Sequence, residues 1–243
     1  RSLLEWDEKS ARYRLHDLMR PVARNAFPDD HILASGGPAR LNLAEQRFAE
    51  HYAEVLRTAN AAPIADGLAR YDLEVTNITL GRTWAEAQWR AKKAAAPLCR
   101  AYLLGGSSLY RLRHSPRIRT EMYELCIRIC THMNDQNCVA AAQHNLGEAL
   151  AVLGQADDAL ENYQKAAKTF ANLGDVRSKA VTMGQIADIL QQRGQSDEAL
   201  RIRREEQLPV YERLGDVHSK AVTMGKIADI LQQRGQSDEA LRI

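Results

Sequence analysis

The chain has 243 residues, 45% of them apolar and 26% charged, with a formal net charge of +2. These are the proportions of an ordinary water-exposed fold. No apolar run reaches the roughly 18 residues of a membrane span, and no basic stripe interleaved with aromatics points to nucleic acid. The chain starts at Arg1 and stops at Ile243 within a repeat. It is therefore expected to be part of a longer, cytoplasmic protein.

Residues 1–27 read as two short strands and a helix. Leu3-Leu4-Glu5-Trp6 precedes the polar turn Asp7 to Ser10, and Ala11 to Leu15 alternates as a strand does. A helix opens at His16-Asp17 and runs through Ala23, with Pro21 in its first turns, where a missing amide donor is tolerated. Asp17 suits the first turn of a helix, so plain capping is one reading of His16-Asp17. The hairpin and helix have the form of the end of a winged-helix unit.

Residues 28–95 are expected to form a helical linker. A loop over 28–38 leads into a helix over Ala39 to Ala61, with Leu43, Phe48, Tyr52, Val55 and Leu56 at helical spacing. A second loop is expected around Pro63 and Gly67, and a further helical run from Leu68 through Ile78. From Trp84 to Asp135 the chain reads as nearly all helix, broken at Gly105 to Ser108 and at Ser115-Pro116. Helices over Trp89 to Leu104 and Arg117 to Met133 are expected to pack antiparallel. Residues 96–137 would form a degenerate capping repeat, with Met122, Leu125, Ile129 and Met133 as an apolar stripe.

Three repeats follow, over 138–173, 174–214 and, cut short, 215–243. The segment from Gly174 to Ile202 returns 41 residues later, changed only at Arg177/His218 and Gln185/Lys226. A fixed period of this size marks a solenoid. Gly147, Ala187 and Ala228 are small where two helices must approach. Gly154, Gly194 and Gly235 stand where a left-handed cap is cheapest, and Asp157, Asp197 and Asp238 open the second helix. Pro209 lies inside a long second helix, which predicts a kink or short break over Glu205 to Leu208, or a loop that splits the helix.

The repeat core, with Asn145-Leu146-Gly147, Leu150, Ala159-Leu160 and Tyr163, resembles the tetratricopeptide (TPR) pattern. Its period of 40 to 41 residues exceeds the usual 34 and is similar to the extended units of the kinesin light chain type. The fold class expected is therefore all-α: a solenoid of TPR helical hairpins, preceded by a helical linker and a small winged-helix remnant.

At the other end, Arg12 to Arg20 is similar to the Met-His-Asp-Leu segment of NB-ARC signalling ATPases of the STAND class, with Leu15 in place of the usual Met. His51-Tyr52 followed by Asp72, Glu74, Asn77 and Ile78 fits the linker of bacterial members. The resemblance implies that His16 senses the phosphates of ADP and Asp17 orients it. No P-loop occurs in this chain, so no enzyme activity and no cofactor are expected within it; ADP or ATP would belong to the full-length parent.

The four cysteines, Cys99, Cys126, Cys130 and Cys138, match no paired zinc spacing and read as buried thiols. No catalytic or metal site is expected. The surface suited to binding is the concave groove, which in the TPR family is lined by the first helix of each unit. The matched pattern places His144, Glu148 and Ala151 there, then Gly184, Asp188 and Gln191, then Gly225, Asp229 and Gln232. This slightly acidic lining suggests a protein or peptide partner with basic or hydrogen-bonding groups. Gly184 and Gly225 occupy the lysine places of the family's carboxylate clamp, so chaperone tails are not expected. Ile227, Ile230 and Leu231 are expected to lack a following unit, which would favour end-to-end self-association. A regulatory sensor of a STAND ATPase, a plain TPR adaptor, and the regulatory arm of a downstream enzyme all remain open at this level.

Overall fold

A computed structural model describes the backbone of residues 4–7, 12–15 and 37–243, and the side chains of Leu43 and residues 45–243. Strands β1 (Leu4–Asp7) and β2 (Arg12–Leu15) pair antiparallel, with Leu4 opposite Leu15 and Trp6 opposite Tyr13. His16 and Asp17, and with them the expected helix through Ala23, lie outside the described residues. The chain otherwise divides into two compact helical units after Leu109.

In the first unit, α1 (Gly37–Ala61) and α2 (Ile64–Gln88) lie side by side and α3 (Ala95–Gly105) packs on both. The loop expected around Gly67 is instead the first turn of α2, capped by Pro63. A β-carbon at Gly67 would collide with the carbonyl of Ala59, so glycine allows this close approach of α2 to α1. The expected helix from Trp89 to Leu104 is interrupted too, because α2 stops at Gln88 and α3 starts at Ala95. The buried Tyr102 on α3 donates its hydroxyl to the carbonyl of Ala49 at 2.6 Å and crosses α2 at Gly81. Asn60 accepts from the amide of Ser108 at 3.0 Å, which ties α4 (Ser107–Arg113) to the end of α1.

The second unit is a run of helices: α5 (Pro116–His132), α6 (Gln136–Val152), α7 (Ala156–Asn172) and α8 (Val176–Gln192). Each has 17 residues, and short turns between them complete the long repeat period. Then come α9 (Ser196–Arg201), a π-helical turn (Ile202–Gln207), α10 (Leu208–Leu214), α11 (Val217–Gln233) and α12 (Ser237–Ala240). First helices begin on Asp135, Asp175 and Asp216, whose carboxylates accept from the amides of Cys138, Ser178 and Ser219. The chain leaves each first helix through Gly154, Gly194 or Gly235 at φ of 77, 77 and 74°, the left-handed cap the sequence predicts.

The core is a continuous file of small and aromatic residues. Tyr163, Ala166 and Phe170 of α7 are buried with Ala140 and Ala149 of α6. Asp157 and Asp197 sit in the first turns of second helices, as expected, and each also accepts an ion pair at 2.7 Å from the next unit, from Arg193 and Arg234. Ile227, Ile230 and Leu231 are all buried, contrary to the exposed face expected of them; α9, the π-helical turn, α10 and α12 pack on α11. The predicted break before Pro209 is the π-helical turn, and no loop splits the helix. Among the described residues no helix is long and apolar enough to cross a membrane.

The cysteines depart from the thiols expected. Cys130, near the end of α5, and Cys138, in the first turn of α6, are joined in a disulfide, while Cys99 and Cys126 are buried thiols. Asn134 at φ 55° reverses the chain between the two helices and brings Cys138 back over the last turn of α5.

Candidate protein-binding clefts

Successive first helices of the second unit leave two clefts that repeat each other. Between α6 and α8 a cleft of about 190 Å³ is lined by His144, Phe170, Arg177, Ser178, Val181 and Thr182, among others. Between α8 and α11 a cleft of about 250 Å³ is lined at matching positions by Gly184, Gln185, His218, Ser219, Val222 and Thr223. The π-helical turn adds Arg203 and Gln207 to the second cleft, and Asp188 and Lys226 complete its polar wall.

Arg203 is the anchor of that wall. It is 3% exposed, donates to Asp188 at 2.7 Å and to Gln207 at 3.2 Å, and its Nε has no acceptor among the described residues. Burial lowers its pKa, and the Asp188 carboxylate acts against that shift. Gln207 in turn donates to the carbonyl of Ala180 at 3.0 Å and covers the α-carbon of Gly184. Lys226 reaches the same Asp188 oxygen at 3.0 Å. The second cleft therefore carries two cations against one carboxylate.

In the first cleft His144 plays a packing part. Its Nδ1 lies 3.0 Å from the Thr182 hydroxyl, and that hydroxyl donates its one proton to the carbonyl of Ser178 at 2.8 Å. Thr182 must then accept, so the His144 proton sits on Nδ1. Burial, aided by Arg111, pushes the His144 pKa down to about 4, so the ring is neutral at pH 7. Glu148 sits 3.5 Å from both Arg111 and Arg119.

The nine residues expected in the groove thus separate. Gly184 and Asp188 line the second cleft and His144 the first. Glu148 is taken up by its two arginines, and half-buried Ala151 lines neither cleft. Gln191 donates to Gln233 at 3.2 Å, a link from α8 to the end of α11. Gly225, Asp229 and Gln232 are exposed on α11. The acidic lining expected of the groove is cancelled, because Glu148 and Asp188 are already paired with cations. Arg203 and Gln207 escaped the sequence reading because they belong to a second helix. The signal available was the extra residue in their repeat, which is what a π turn absorbs.

Residues 138–205 match a family model described as tetratricopeptide repeat. No curated protein matches the chain. Among solved structures, BtubC (BKLC) from P. vanneervenii is similar at a TM-score of 0.55 and 18% identity, covering 84% of this chain and 87% of that one. A putative kinesin light chain from Podosopora anserina, described as having nearly identical TPR-like repeats, aligns at TM-score 0.55 and 18% identity over 84% of this chain and 92% of its own. A variant of that protein with one substitution aligns at 0.56 and 18% over 84% and 91%. At this identity the likeness is one of fold: a helical, TPR-like solenoid with kinesin-light-chain-like neighbours.

Proposed function

We propose that the repeats are a protein-interaction module whose clefts between first helices take an extended peptide segment from a cytoplasmic partner. One observation carries this reading. The two near-identical copies differ at two positions, and all four residues involved, Arg177, His218, Gln185 and Lys226, line the clefts. The rest of the repeat, including the cleft-lining pairs Ser178/Ser219, Val181/Val222 and Thr182/Thr223, is unchanged, so what variation there is falls on the cleft walls. The cation excess of the second cleft favours a segment that brings carboxylates, as charge complementarity requires. The test is a fluorescence-polarisation comparison of acidic, neutral and basic peptide pools on the wild type, on Lys226→Gln and on His218→Arg. Acidic peptides that bind the wild type and lose about tenfold or more on Lys226→Gln support the reading. Equal binding by all three proteins, or preference for the basic pool, defeats it.

A second role rests on the amino-terminal segment. The β1–β2 ribbon runs directly into His16-Asp17, as a winged-helix end does. Asp72, Glu74, Asn77 and Ile78 all lie on α2, the helix that the linker resemblance calls for. The parent protein is then a STAND-type ATPase in which His16 senses ADP and the repeats report a partner to that switch. Its full-length gene should encode a P-loop before Arg1, and His16→Ala in the full-length protein should shorten ADP retention. A parent without a P-loop, or unchanged retention, leaves a plain adaptor.

A further inference from the structure

We infer that Cys126, Cys130 and Cys138, once reduced, form a three-thiolate site for a trivalent thiophilic ion of the arsenic(III) type, and that the Cys130–Cys138 disulfide is its closed form. The three sulfurs lie within 4.8 Å of one another and all three residues are buried. Cys126 Sγ is 3.8 Å from that of Cys130 and 4.0 Å from that of Cys138. An ion bonded to three sulfurs at about 2.3 Å, the ordinary zinc–thiolate length, holds them roughly 4.0 Å apart when planar and roughly 3.4 Å apart when pyramidal, as an arsenic(III) centre with its lone pair is. The two edges at Cys126 are somewhat longer than the pyramidal arrangement takes, so its side chain closes in by roughly half an ångström on binding, and reduction of the disulfide frees the third edge.

The scaffold is built for convergence. Cys126 and Cys130 stand four residues apart on α5 and so share a face, and Cys138 enters from the first turn of α6. A helix N-terminus favours the thiolate at Cys138. The end of α5 and the turn after it, Thr131 to Asn134, lie mostly at the surface and give the ion a way in through a fraying first turn of α6.

Two features choose the ion. No fourth histidine, cysteine or carboxylate joins the group among the described residues, whereas structural zinc takes four ligands. The site is also out of water, where uncompensated charge is costly. Three thiolates around a monovalent or divalent ion leave net negative charge; around a trivalent ion they leave none. Arsenous acid reacts without redox change: three S–H bonds and three As–OH bonds break, three As–S bonds form, and three waters leave. Opening the disulfide beforehand takes two electrons and two protons from an external dithiol, or from two molecules of a monothiol, whose two sulfurs are joined as a disulfide in turn.

The experiment uses the whole chain, reduced with a trialkylphosphine and titrated anaerobically with arsenite. One arsenic per chain should bind by native mass spectrometry, and three of the four thiols should disappear, leaving Cys99. Cys99→Ala should bind as the wild type does. Cys126→Ser, which keeps the side-chain size, should weaken binding about 100-fold through loss of one chelating arm. Protein kept oxidised should not bind. If the wild type loses only two thiols, binds no tighter than Cys126→Ser, or gives up arsenic to equimolar zinc, the assignment is overturned. The thiol count on the wild type decides the matter even if a variant fails to fold.

Discussion

A β-carbon added at Gly147 would meet the buried ring of Tyr163 at 2.8 Å, while one added at Gly225 would meet nothing within 4 Å. Both glycines sit inside helices, and their opposite surroundings fix opposite outcomes. Gly147→Ala should cost about 1–3 kcal/mol, as overpacking of a close contact does. Gly225→Ala should gain about 0.5–1 kcal/mol, the helix propensity that glycine gives up. Urea denaturation of the two variants checks both signs. Gly184 is the instructive third case, because it holds the place of Gly225 in the preceding copy yet lies under Gln207. Identical letters in a repeat do not imply identical burial, which depends on the next unit along. His144 makes the same point through pH. Its folded pKa of about 4 lies below the unfolded value of 6.5 because the ring is buried neutral. Its contribution is then whole above pH 6.5 and is lost as the pH falls from 6.5 toward 4, because the unfolded chain binds the proton first. The loss is about 2 kcal/mol once partial exposure is allowed for. In His144→Gln the stability profile measured between about pH 7 and pH 4 should be flatter by that amount.

At the scale of the element, the π-helical turn decides what the second cleft contains. The spacing from Gly154 to Gly194 is 40 residues and from Gly194 to Gly235 it is 41. The helix absorbs the extra residue over Ile202–Gln207 rather than by shifting its register against α8. Pro209, in the first turn of α10, lacks the amide that would close an ordinary turn there. Deleting the exposed Glu205 should let the helix close as a regular α-helix with both ends still in register. Arg203 and Gln207 would then turn away from Asp188 and Ala180. The expected cost is about 1–3 kcal/mol for buried donors left without acceptors, with helix content by circular dichroism unchanged and acidic-peptide binding abolished. A variant at least as stable as the wild type would show that the bulge is an accident of length. Much of this element was legible: proline marked where the helix must yield, and the odd spacing marked that one residue was spare. Which side chains the bulge would turn into the cleft was not legible, because that depends on α8 and α11 as neighbours. The same holds for the cysteines. Helical spacing paired Cys126 with Cys130, but the return of Cys138 depends on a left-handed Asn134 that no local pattern announces.

At the scale of the whole molecule the second unit behaves as a row of neighbours, and this is what the repeat in the sequence could say with most force. Each unit's links are to the next: Arg193 to Asp157, Arg234 to Asp197, Arg177 to Asp216 and Arg204 to Glu239, all at 2.6–2.7 Å. These pairs are exposed on at least one side, so each is worth little alone; the buried file from Tyr163 through Leu200 to Ile230 supplies most of the cohesion. Stability in such an array is close to a sum over units and their interfaces. Removing residues 215–243 should therefore leave a folded protein. It uncovers Ile202 and Tyr211 and takes away Lys226, one of the two cations on Asp188. The urea midpoint should fall, and the slope of the transition should shrink by roughly a tenth, in line with the smaller surface exposed on unfolding. A protein with one central core would respond differently, because losing its last helices would abolish the cooperative transition. Urea titration of the shortened chain beside the full one, followed by circular dichroism, separates the two. A surviving transition with a smaller slope supports the additive array, and a featureless drift refutes it.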